Sequence, residues 1–508
     1  MRQLHTLENW KEIIKARKGC CPLDTVEYMR IYDAHKNAKS QKKQQIKGKF
    51  GLLYPGHWIW LVWIVLAGCT NTNHQKLSPL DVIELGDGWA TNTVNTVIFR
   101  HHALVSRGGF QFTSYYGPKG ELRVVRRDLS TNEVQTHEIP GQYDINDAHN
   151  SISLGIDKLG FLHISYDHHV SPLHYRRSLK PLEIDRWSEE LPMTGVREGS
   201  VTYPSFLMPA GKNKQGGLLF LYRYGSSSNG DACIKVFDDV NGRWSDLEPC
   251  ILMGSRQRPW SSGPYWNHPV FDNTGRLHLS FVWRTHSLGK EKIINNINVD
   301  YAVSEDWGRT WRSSKGRRFR LPITQVNSET VYTVSPGTNL INQTSSAVDT
   351  QGNPHIVLYS NDPDDVPQYQ HIWFDGKQWQ HNFISKRTKP FLLAGGGTLG
   401  TLQIPISRPE IVIDDADNVY VIYRGDLTGN RMAVQRLTPP NYIPSAEMRI
   451  LWEEPVEYSE PVIDRIRWQT EGVLSMLIQK NGQPSHDAEA PVRVEPVYIV
   501  DWNLVGNW

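Results

Sequence analysis

The sequence predicts an all-β chain built as a β-propeller, and three observations predict it. Trp (18), Tyr (21) and Gly (40) are abundant among the 508 residues, a composition that favours sheets over helical bundles because large aromatic side chains pack well on half-buried strands. Beyond residue 90 the apolar residues alternate over short runs and hold no long 3.6-residue period, so strands are expected and the helices of a parallel βαβ fold are not. One unit also recurs: an apolar alternation, an Asp-x-x-Gly turn and a second alternating strand.

In chain order, the first element is a leader. Residues 1–68 hold 12 Lys and Arg against 5 Asp and Glu, which leaves 43 against 48 for the rest. The body is therefore mildly acidic, opposite to the bias of a nucleic-acid binder, and no nucleic-acid partner is expected. Lys42, Lys43, Lys47 and Lys49 precede an apolar run from Trp58 to Ala67, which closes as Leu66-Ala67-Gly68-Cys69. A basic region, a short apolar stretch and small residues before a cleavage point make a secretory signal, with the true start codon expected downstream of the first residues. The run is about half of the ~20 residues a membrane-spanning helix needs. The Leu-Ala-Gly-Cys ending resembles a bacterial lipobox, which implies lipidation of Cys69. The chain is then exported and anchored to the bacterial outer membrane or cell surface, with the lipid its only membrane contact. The expected boundaries are a leader over 1–68, a tether over 69–90 and a monomeric catalytic propeller over 91–508.

The strand–turn–strand unit appears at Ile156 to His163 around Asp157 and Gly160, at Phe271 to His278 around Asp272 and Gly275, and at Val348 to His355 around Asp349 and Gly352. A fourth copy reads Asp415 to Asn418 to Val421, with Asn where the others have Gly, since both tolerate a left-handed backbone. The spacings are 115, 77 and 66 residues, and a further unit is expected inside the first gap, around Gly216 to Tyr224. Roughly 420 residues at about 60 per four-stranded blade give about seven blades, and six or eight fit the same spacing. Ser304-Glu305-Asp306-Trp307-Gly308-Arg309-Thr310-Trp311 matches the Ser-x-Asp-x-Gly-x-Thr-Trp Asp-box. That hairpin sits at the outer edge of a blade, with its Ser and Asp on turn amides and its Trp packed beneath, so its role is structural. Cys233 and Cys250 are either a disulfide in an oxidising compartment or two free thiols.

Three polar clusters could carry chemistry. Asp147-Ala148-His149-Asn150 precedes the first hairpin and Tyr166-Asp167-His168-His169 follows it, so antiparallel pairing brings the two segments to one end of the blade, where propellers build sites. Thr202-Tyr203-Pro204 and Tyr222-Arg223-Tyr224 stand at the two ends of the next hairpin in the same way, and Gly263-Pro264-Tyr265-Trp266-Asn267-His268 is the third cluster.

In this order, with the Asp-box behind them, these motifs resemble the BNR-type propeller proteins that include ulvan lyases, over about residues 90 to 430. The resemblance implies a seven-bladed propeller with an essential His, Tyr and Arg set in a basic groove that binds an anionic polysaccharide. By position those roles fall on His149, His169, Tyr203, Arg223 and Tyr265, with Asn150, His168, Tyr224 and Arg258 as substrate-binding neighbours. Some members of the family hold a structural zinc through His and Cys ahead of the Asp-box. The corresponding stretch offers His286, Asn296, Asn298 and Asp300 and no Cys, so His286 and Asp300 are weak candidates for a structural zinc or calcium. The chemistry itself requires no cofactor.

Elimination across C4 and C5 of a uronic acid explains the residue types. The substrate carboxylate must be neutralised so that enolate-like charge can develop, and Arg grips a carboxylate through a planar fork while staying charged. One group must then take the C5 proton and another must protonate O4. Arg223 is the expected neutraliser, Tyr203 and His149 are the acid and base in either order, and His169 and Tyr265 support them. A Tyr beside Arg and a charged His is expected to have its pKa lowered. Two rivals use the same fold. A sialidase-like glycoside hydrolase would need paired carboxylates, or a Tyr nucleophile with three Arg; a glycan-binding propeller would need no chemistry at all.

Overall fold

The computed structural model describes residues 75–508 apart from 210–216, 256–260, 287, 291, 395–402 and 486–489. Cys69 and Arg258 lie outside the described residues, as does the leader. The described strands form seven antiparallel sheets, and these are the blades of a seven-bladed propeller. Blade 1 runs Leu104–Arg107, Phe110–Tyr116, Leu122–Asp128 and Val134–Ile139. Blade 2 runs Ser153–Ile156, Leu162–Ser165 and Tyr175–Arg177, and blade 3 has Val201–Leu207, Leu219–Ser226, Asn229–Asp238 and Arg243–Asp246. Gly263–Trp266 opens blade 4, Ser345–Val348 blade 5, Glu410–Ile413 blade 6 and Val462–Ile463 blade 7.

The ring closes through its two ends. Asp81–Trp89 pairs along its length with Val494–Trp502 and completes blade 7 from the outside. The expected tether over 69–90 is therefore revised, because its second half is a strand of the propeller. Its alternation was hidden by Gly86 and Gly88, and the register shifts between Glu84 and Gly86, as a bulge does.

The recurring turn has one physical cause in each blade. Asp157 accepts the Phe161 amide, Asp272 those of Thr274 and Arg276, and Asp349 those of Gln351 and Asn353. Gly160, Gly275 and Gly352 follow three residues later with φ near +80 to +90°, where a Cβ is costly. The fourth copy starts one residue earlier than its sequence pattern suggests. Asp414 caps the turn by accepting from Ala416 and Asn418, and Asp417, not Asn418, takes the left-handed position with φ 58°. The unit expected around Gly216 to Tyr224 is the hairpin of Val201–Leu207 with Leu219–Ser226.

The Asp-box forms its hairpin as expected: Asp306 accepts from Thr310, Ser304 accepts from Gly308, and Trp311 is fully buried. Cys233 and Cys250 are a disulfide that ties a blade 3 strand to the chain that leaves it. The core lies between blades, where Leu, Ile, Val and aromatic side chains of neighbouring sheets interleave. The helix Arg465–Glu471, capped by Asp464, joins the first two strands of blade 7. Its Arg465 reaches Glu410 of blade 6 and the Ser346 carbonyl of blade 5, which stitches blades across the ring.

Candidate active site

Residues of blades 2, 3 and 4 build the site. Each lies at or just before the start of a first strand, or at or just after the end of a second, and antiparallel pairing puts those positions at one end of the ring. Asp147 and His149 lie in the turn before Ser153–Ile156. His169 begins the short strand His169–Ser171, which pairs with Val201 and Thr202 of blade 3. Tyr203 follows directly, then Arg223 on Leu219–Ser226 and Tyr265 on Gly263–Trp266.

Tyr203 owes its direction to a local irregularity. Thr202 pairs with Arg223, the register then slips, and pairing resumes only at Ser205. Pro204 has no amide to give to the ladder, and Tyr203 adopts φ 57°, rare for a bulky residue. Such bulges re-aim a side chain, and this one swings the phenol toward the neighbouring arginine. The Arg223 guanidinium stacks 4.8 Å from the Tyr203 ring centre and donates to the Tyr265 hydroxyl at 3.1 Å. Gly230 makes room for it, since a Cβ there would meet the Arg223 stem at 3.0 Å and the Ser226 carbonyl at 2.7 Å.

On the other side of Tyr203, a carboxylate holds two imidazoles. Asp147 bonds His149 Nδ1 through Oδ1 at 2.8 Å and His169 Nδ1 through Oδ2 at 2.5 Å. The rings stack 4.1 Å apart, and His149 lies 5.9 Å from the Tyr203 ring. The opening to solvent is on this side: the side chains of His149 and His169 are 16% and 28% exposed, whereas Arg223, Tyr203 and Tyr265 are buried.

Electrostatics sort the two phenols. Burial raises Tyr203, and the nearby Tyr265 adds to the rise, against the opposing charges of Arg223, Arg284 and Arg408. Burial also pushes Tyr265 up, but the Arg284 and Arg223 charges, with hydrogen bonds from Tyr203 and Arg223, more than offset it and leave Tyr265 below the ordinary phenol range. The lowered phenol is thus Tyr265, not the Tyr203 that sequence reasoning selected. Burial likewise lowers His149, despite its bond to Asp147.

Three of the expected neighbours stand elsewhere. His168 is fully buried, accepts the His174 amide at 2.8 Å and is pushed well down by burial, so it is a structural residue. Asn150 is buried as a turn brace, donating to the Asp144 carbonyl while its own carbonyl accepts from Tyr116. Tyr224 points to the opposite face of its strand from Arg223 and lines a groove with Arg197, Asp231 and Met253. A cavity of about 690 Å³ beside Gly108, Lys158 and Glu471 lies at the opposite, turn end of the blades and contains none of the site residues. Sequence reasoning missed Arg284, whose guanidinium stacks 4.6 Å from the Tyr265 ring while it donates to Asn296 and Asn342. It also gave Asp147 no part in the elimination, only a place among the carboxylates open to a hydrolase. The signal for Asp147 was its two-residue spacing from His149.

The described residues of the stretch expected to hold a structural metal do not converge on one. Asp300 is buried and accepts from Trp283 and Thr330, Asn296 is bonded to Arg284, and His286 is exposed. Among the described residues, the group of His, Cys, Asp or Glu side chains with metal-like spacing is Asp147, His149 and His169, within 4.8 Å of one another. In that group the carboxylate oxygens are engaged by ring nitrogens, as a hydrogen-bonded clamp requires.

The chain is similar to an ulvan lyase of Alteromonas sp. (strain LOR), with 22% identity over 62% of this chain and 72% of that protein. It is similar also to an ulvan lyase of Nonlabens ulvanivorans, with 23% identity over 62% and 73%. Among solved structures, the polysaccharide lyase Uly1 matches with a TM-score of 0.61 and 15% identity, covering 84% of this chain and 99% of that one. A PL25 ulvan lyase matches with a TM-score of 0.58 and 14% identity, covering 83% and 97%. At these identities the structures speak for the propeller fold. Residues 110–387, more than half of the chain, match the model of the BNR repeat-containing family, and to that family this protein belongs.

Proposed function

We propose that this protein is a polysaccharide lyase that cleaves an acidic, uronate-containing and sulfated polysaccharide, with ulvan the leading substrate, by β-elimination. The observation that carries the reading is the contact of Arg223 with both phenols, Tyr203 and Tyr265, beside the His149–His169 pair. The names of its relatives support the same reading.

Each group suits one part of the reaction. Arg223, with Arg284 behind Tyr265, supplies the fixed positive charge that stabilises the enolate-like transition state. Burial keeps His149 neutral, the form that accepts a proton, and keeps Tyr203 protonated, the form that gives one. The C5–H bond breaks with its proton passing to His149 Nε2, the C4=C5 bond forms, and the C4–O4 bond breaks as Tyr203 protonates O4. Tyr265, held by Arg223, keeps the guanidinium and the Tyr203 hydroxyl in register.

The test is to incubate the protein with ulvan, pectin, alginate and glycosaminoglycans while following the absorbance of the unsaturated uronate. Ulvan should give the fastest rise, and Arg223→Ala should slow it at least ~10²-fold. Chain shortening without a double bond would mark a hydrolase and sink the reading, and so would full activity in Arg223→Ala. Export and lipid anchoring through Cys69 belong to the same proposal, since a polymer of this size must be met outside the cell.

A further inference from the structure

The binding of both imidazoles to one carboxylate has a chemical consequence. An ionised carboxylate only accepts hydrogen bonds. Asp147 is buried, and its bonds to His149 and His169 hold its carboxyl below the usual range against the opposing effect of burial. Both Nδ1 atoms must therefore carry hydrogen. Asp147 Oδ1 also accepts the His149 backbone amide at 2.9 Å, which fixes the carboxylate as well as the rings.

We propose that Asp147 is a positioning residue that sets both imidazoles in the Nδ1–H tautomer, leaving both Nε2 lone pairs free, and that lets the stacked pair hold one extra proton between them. This rests on the lyase reading for its purpose, but not for its structural content. Two imidazolium rings 4.1 Å apart would repel. The single anion between them stabilises one, so the proton taken from C5 has a place to stay until it returns to the Tyr203 phenolate. The charged and titratable groups around His149 are Asp147, His169, Arg223 and Tyr203. A divalent cation on the same three residues would need a bare Nδ1 on each ring, the opposite tautomer.

Two measurements test this. The nitrogen-15 shifts of His149 and His169 in the intact protein report the tautomer without any substrate: Nδ1–H on both rings is expected, and an Nε2–H tautomer on either ring would overturn the proposal. In Asp147→Asn the amide offers one acceptor and one donor, so one ring must accept at Nδ1 and lose its Nε2 lone pair. The expected result is a kcat lower by ~10²–10⁴-fold with KM within about threefold, and an acid limb of the pH–rate profile moved to lower pH because the anion is gone. An unchanged limb and kcat would refute it. If no polysaccharide is cleaved by the parent protein yet both rings are Nδ1–H, the lyase reading fails and the clamp stands.

Discussion

Histidine illustrates how far a residue type can be interpreted. His163, His278 and His355 each sit six residues after a turn aspartate, and each is fully enclosed beside it: Asp157, Asp272 and Asp349 lie 3.3, 3.3 and 3.8 Å from the ring Nε2. In blade 6 Tyr420 takes the place, donating to Asp414 at 3.0 Å. These are structural pairs. His149 and His169 use Nδ1 in the same kind of bond but keep an exposed edge, and that difference leaves them available for the proposed chemistry. The directions of the shifts give a pH prediction. The proposed elimination needs neutral His149, so activity should rise through an acid limb below the ordinary His value of about 6.5, because burial lowers this group. It also needs protonated Tyr203, so the alkaline fall should lie above the ordinary phenol value of about 10, because burial raises it. The expected profile is a broad plateau across neutral and mildly alkaline pH. Tyr203→Phe should lower the plateau by ~10²-fold or more. A narrow bell centred near pH 6 would contradict the assignment of acid and base.

At the scale of elements, hairpins with a marked turn were legible and irregular strands were not. Asp-x-x-Gly announced the first two strands of blades 2, 4 and 5 because the turn needs a left-handed residue and an amide acceptor at fixed offsets. The bulge at Tyr203 was invisible, since its cause is the slip between two paired strands. The closing strand Asp81–Trp89 was taken for a tether because its glycines break the alternation. It covers the edge of Val494–Trp502, and an uncovered edge invites aggregation. Deleting residues 1–89 should therefore give protein that melts earlier and associates, read by circular dichroism and gel filtration. A chain beginning at His74 should melt like the full one. Equal melting of both truncations would show that ring closure contributes nothing to stability.

For the whole molecule, an acidic body that is to take the proposed anionic polymer needs a local cationic site, and that role falls to the arginines around the tyrosine pair. Anchoring is the remaining prediction at this scale. Cys69→Ala should move the protein from the membrane fraction to the soluble exported fraction with its specific activity intact, and retention of the variant in the membrane would rule out the lipid anchor. The sequence by itself determined the all-β architecture, the repeating blade and the set of residue types on which the proposed elimination rests, because strand alternation, turn chemistry and side-chain chemistry are local properties. Only the tertiary structure decided which phenol is lowered, which histidine is buried and that Asp147 clamps two rings. Burial and the Coulomb field at a side chain come largely from neighbours distant in the chain, such as Arg223 and Arg284 around Tyr265, and no short stretch of sequence contains them.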